Sequence, residues 1–134
     1  MRTFILASLV LLSGCGVVGP QWEDRSQTDQ GDLCLASNAD EDGTVSVFAN
    51  LCLSSSCSRD AVASCNAVLD GQVITVTAQF DWQEATGNIA CTDDCGSLSA
   101  TCEVGPLPAG TYTVKMGSGV ETFDVPTTEE CSPF

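Results

Sequence analysis

Hydrophobic and polar residues alternate with a period of two along most of the chain from Leu33 onward. In "VITVTAQFDW", Ile74, Val76, Ala78, Phe80 and Trp82 alternate with Thr75, Thr77, Gln79 and Asp81. Successive side chains of a strand point to opposite faces, so this stretch predicts a half-buried strand. "TVSVFANL" places Val45, Val47, Ala49 and Leu51 on one side, "SLSATCEV" does the same with Leu98, Ala100, Cys102 and Val104, and "TYTVKM" with Tyr112, Val114 and Met116. A short strand near Leu33–Leu35 and "VETFDV" add two more. Asp70-Gly71, between "CNAVL" and "QVITV", suits a two-residue hairpin turn with positive φ at both positions. Gly117-Ser118-Gly119 turns the chain again. "SRDAVAS" predicts a helical turn at most, and no long amphipathic helix is present.

About seven short strands with frequent turns predict an all-β chain folded as a small antiparallel β-sandwich. Its aromatic core is thin, with Phe48, Phe80, Trp82, Tyr112 and Phe123 as the candidates once Phe4, Trp22 and Phe134 outside the patterned stretch are set aside. Small exported domains with modest cores commonly rely on disulfides. "PLPAGTYTVKMGSGVETFDV", with Leu107-Pro108, Gly110, Tyr112 and Val114, resembles the late hairpin of immunoglobulin-like and transthyretin-like extracellular modules. The resemblance implies architecture only, because such folds host many functions. No cysteine follows Tyr112 at the antibody spacing.

The first fourteen residues follow a different pattern. Arg2 is followed by an apolar run from Phe4 to Leu12 and by the small pair Ser13-Gly14, the order of an export signal. The run is too short to span a bilayer, which needs about 20 apolar residues. Leu12-Ser13-Gly14-Cys15 resembles a bacterial lipobox. That resemblance implies cleavage before Cys15, lipidation of its thiol so that Cys15 becomes the mature N-terminus carrying acyl chains, and a lipid-anchored place in the cell envelope. Gly16, where aspartate favours inner-membrane retention in Gram-negative sorting, leans toward the outer membrane. Residues 16–31 are polar and aperiodic and read as a flexible tether, spanning on the order of 20–25 Å. The expected organisation is therefore signal peptide 1–14, lipidated N-terminus and tether 15–31, and a disulfide-rich domain 32–134.

With Cys15 assigned to lipid, eight of the nine cysteines remain: Cys34, Cys52, Cys57, Cys65, Cys91, Cys95, Cys102 and Cys131. In an exported chain without histidine they predict four disulfides rather than thiolate metal ligands. Proximity favours Cys57 with Cys65, Cys102 with Cys91 or Cys95, and Cys34 with Cys131 closing the domain.

Charge and chemistry narrow the function. The chain has 18 acidic and 4 basic residues, a formal net charge of −14, and losing Arg2 with the signal makes the remainder more acidic still. Such a chain repels phosphate backbones, which argues against nucleic acid as a partner. "NADEDGT" places Asn38, Asp40 and Asp42 at alternate positions before Gly43, like the start of a calcium loop. The twelfth position is Ala49 rather than glutamate, so a complete EF-hand is excluded, and an acidic turn is the simpler reading. Without histidine there is no Ser-His-Asp triad or Cys-His pair, and nothing marks a substrate cleft. The expectation is a non-catalytic binding or structural module of the cell envelope, held to the membrane by acyl chains and facing an envelope protein or glycan. A calcium-assisted adhesion or carbohydrate-binding module is second, and a small hydrolase third.

Overall fold

The computed structural model describes residues 19–134. The expected export signal, residues 1–14, and Cys15 lie outside the described residues. Nine strands form two sheets. They are β1 (Gln21–Thr28), β2 (Asp32–Ser37), β3 (Asp42–Phe48), β4 (Ser58–Asp70), β5 (Val73–Thr86), β6 (Ser99–Pro106), β7 (Gly110–Met116), β8 (Gly119–Val125) and β9 (Thr127–Pro133). One sheet has the order β6-β3-β2-β9. In the other, β5 pairs with β4 on one edge, while β1 and β7 share its opposite edge end to end and β8 follows β7. The expected disulfide-stapled β-sandwich is present. All strand pairs are antiparallel except β5 with β7.

The predicted alternation sets the core. Leu33 and Leu35 of β2 and Val45 and Val47 of β3 meet Ile74, Val76 and Phe80 of β5, Val114 and Met116 of β7, and Phe123 of β8. Each is essentially without solvent exposure, and full burial of such a side chain contributes about 1.5–3 kcal/mol. Two expected core aromatics differ. Phe48 is out of phase with Val45 and Val47 and stays 37% exposed on the outer face. Trp82 shares its face with Phe80 but is only half-buried, because β5 there runs past the packed core.

Two further expectations are corrected. Residues 21–28 are not tether: they form β1, in register with the second half of β5 from Gln21↔Thr86 to Thr28↔Gln79. "SRDAVAS" is not a helical turn but the start of β4. There a bulge sets two residues, Asp60 and Ala61, against Trp82, and Asp60 takes a φ of 52°. That extra residue breaks the period of two. The β4–β5 loop is Gly71-Gln72 rather than Asp70-Gly71, with positive φ at Gly71 but not at Asp70.

The four disulfides are Cys34–Cys131, Cys52–Cys95, Cys57–Cys91 and Cys65–Cys102. Cys34–Cys131 pairs as expected, joining registered neighbours on β2 and β9. Cys57 does not bond Cys65. The segment between them is extended, and eight residues at about 3.3 Å each separate them far beyond disulfide reach. Cys102 does not bond Cys91 or Cys95. Instead it links β6 to β4, the adjacent edges of the two sheets, through Cys65.

Candidate functional site

Three places concentrate functional groups. The first is the acidic turn between β2 and β3. Asn38 Nδ2 donates to Glu41 Oε2 at 2.8 Å, and the Asn38 carbonyl accepts from the Ser37 hydroxyl and the Glu41 amide. Asp40 adopts a φ of 65°, and its amide donates to the Leu107 carbonyl, while the Leu107 amide donates to the Glu41 carbonyl. Leu107 is fully buried, so the turn is clamped to the β6–β7 connection. Asn38, Asp40 and Asp42 are all exposed. Asn38's amide serves the turn itself. Among the described residues no three histidine, cysteine, aspartate or glutamate side chains cluster closely enough to hold a metal ion.

The second place is where two of the crossovers between the sheets meet. The β3–β4 loop and the β5–β6 loop are joined by Cys52–Cys95, Cys57–Cys91 and the Leu53–Gly96 bridge, whose amides and carbonyls exchange two hydrogen bonds at 2.8 and 3.0 Å. Ser54 and Ser56 Oγ lie 2.9 and 3.2 Å from the Thr92 hydroxyl. Both Asp94 oxygens accept from the Ser55 amide, and one also accepts from the Thr92 hydroxyl. Bonds from Thr92 first, and then Ser55, hold the Asp94 carboxyl below its ordinary value. Every hydroxyl here faces another hydroxyl or a carboxylate. The cluster is a cross-link, built on short loops that could not pack a core of their own.

The third place is the end of the sheet where β1, β5 and the start of β4 run side by side. On its outer face Gln83 Nε2 donates to Asp24, and Arg59 Nε donates to Gln83 Oε1, both at 2.8 Å. The Arg59 guanidinium lies 4.0 Å over the Trp22 ring, a cation–π contact. Trp22 therefore docks on the domain. On the opposite face Arg25 bridges Glu23 at 3.0 Å and Glu84 at 3.1 Å. All of these ionic groups are substantially exposed, so each pair contributes little to stability. Sequence reasoning missed this end, because strands solvated on both faces show no hydrophobic period.

No family model, curated protein or solved structure matches the chain.

Proposed function

We propose that this protein is a lipid-anchored lipoprotein of the bacterial cell envelope, whose disulfide-stapled sandwich serves as a non-catalytic binding or structural module. The observation that supports it is arithmetic in thiols. Four disulfides take up all eight cysteines beyond Cys15, so none of them is available to Cys15. The ninth cysteine stands at the end of "LLSGC", directly after an apolar run. A thiol exempt from the disulfide framework at a lipobox position is suited to acylation. Several acyl chains on one residue make a stable anchor, at about 0.8 kcal/mol for each buried CH₂.

The immunoglobulin-like reading of the domain has its own support. Tyr112 Oη donates to the Pro108 carbonyl at 2.8 Å, the hydrogen bond of a tyrosine corner. A non-catalytic role fits the side-chain chemistry, since the polar clusters of the domain serve its loops and strand pairs. The test is acyl labelling with membrane fractionation of the full chain and of Cys15→Ser. The full chain should be labelled and membrane-bound, and Cys15→Ser neither. Persistent labelling of Cys15→Ser would overturn the anchor.

A further inference from the structure

The structure shortens the tether, and this has a geometric result. Ordered pairing begins at Gln21, opposite Thr86. From Cys15 to Gln21 there are six peptide steps, and an extended chain covers at most about 3.6 Å in each. Gln21 therefore lies within about 22 Å of the residue proposed to carry the lipid. The opposite end of β5 is much farther away, since its 14 residues at about 3.3 Å each run some 45 Å to the Gly71-Gln72 turn.

The near end differs in composition from the rest of this acidic chain. Residues 16–22, "GVVGPQW", and residues 85–90, "ATGNIA", contain no charged side chain. Residues 19–22 and 85–90 come together in the fold. Gly19, Pro20, Gln21, Thr86, Asn88 and Ile89 line one open hollow of roughly 440 Å³. The Ile89 amide donates to the Gly87 carbonyl at 3.1 Å, a tight turn that leaves Ile89 36% exposed. Behind this rim stand Arg25 and Arg59, two of the three basic residues beyond the signal. Arg25 offsets Glu23 and Glu84. Asp93 and Asp94 follow beyond Cys91, with the Asp94 carboxylate engaged by Ser55 and Thr92.

We propose that the Gly19–Gln21 and Thr86–Ile89 rim is a lipid-contacting surface, which rests among phospholipid headgroups with Ile89 inserted. This rests on acylation of Cys15. An uncharged rim with an exposed isoleucine, held within a short reach of the bilayer, meets little desolvation cost there. The densely acidic remainder would be repelled by anionic lipid. The occupant is the membrane that holds the anchor, because the connecting chain is too short to place this rim far from it.

The test uses the full lipidated chain, reconstituted in phosphatidylcholine vesicles with a fraction of lipid carrying a shallow nitroxide. Trp22→Phe/Trp82→Phe removes both native tryptophans, and single reporters are then placed by Ile89→Trp at the rim and Val68→Trp near the far end. Ile89→Trp emission should fall by about half or more, while Val68→Trp should be almost unaffected. Asn88→Trp, at an exposed neighbouring position, gives the same reading if Ile89→Trp perturbs the turn. Equal, weak quenching at residues 88, 89 and 68 in a chain that floats with the vesicles would overturn the rim contact and leave the anchor standing. A chain that does not float would overturn both.

Discussion

Asp29 and Ala78 hold each other by two hydrogen bonds. The Asp29 amide donates to the Ala78 carbonyl at 2.9 Å, and the Ala78 amide donates to Asp29 Oδ1 at 2.7 Å. The pair fills the gap between β1 and β7 on the shared edge of β5. β1 ends opposite Gln79, and β7 reaches Val76. A left-handed φ of 52° aims the Asp29 carboxylate back at the strand. Asp29→Ala would leave the amide of buried Ala78 unpaired, and a buried donor without a partner costs about 1–3 kcal/mol. Asp29→Asn keeps an acceptor and tolerates this backbone, so urea unfolding should rank wild type, Asn and Ala in falling stability. Equal stability of Ala and wild type would remove this role.

Tyr112→Phe deletes the hydroxyl donated to Pro108. The ring stays in the core, so the loss should be close to one hydrogen bond, about 1 kcal/mol. For a domain near this size that lowers Tm by roughly 4–8 °C. Thermal melts followed by circular dichroism measure it, and an unchanged Tm would show that the corner bond contributes nothing.

Peptide mapping of the unreduced protein should recover Cys34–Cys131, Cys52–Cys95, Cys57–Cys91 and Cys65–Cys102. Removing the seam with Cys65→Ala/Cys102→Ala should cost about 2–4 kcal/mol, because it frees the loop it closes in the unfolded chain. A peptide joining Cys57 to Cys65 would refute the pairing.

Asp94 supplies the pH dependence. Its carboxyl is held below 3.8 in the folded protein by Thr92 and Ser55. A depressed carboxylate adds stability above its unfolded value, and the contribution is lost as pH falls through the folded one. Asp94→Asn should therefore melt earlier than wild type near neutral pH, and the gap should close below about pH 3.8. A gap of the same size throughout acidification would assign the effect to shape rather than charge.

The sequence carried the packed half of the molecule because that half has a dry face. Tyr112, Val114 and Met116 are all buried, as their spacing requires, and so are Val45, Val47 and Ala49. Strand β1 was invisible for the opposite reason. Glu23, Asp24, Arg25 and Ser26 are exposed on both faces, so only pairing with β5 makes them a strand. The bulge at Asp60 hid the start of β4 by displacing its register. The disulfide pairs depended on topology. Cys65 meets Cys102 because the sheet edges align, although 37 positions separate them. At the acidic turn the spacing of Asn38, Asp40 and Asp42 was visible, but the clamp from Leu107 was not, because it lies on a distant connection.

The direction of β1 also sets how the domain carries load. Tension arriving from residue 20 acts along β1 toward the Thr86 end of β5. Its ladder, from Gln21↔Thr86 to Thr28↔Gln79, runs crosswise to that pull. When the domain is held near the Gly71-Gln72 end of β5, the bonds of β1 are sheared together instead of opening one after another. Asp29, fastened to Ala78 at the inner end of β1, lies in the same line of force. The strand next to the proposed anchor thus serves as a mechanical clasp, resisting detachment along the direction from which an envelope tether would pull.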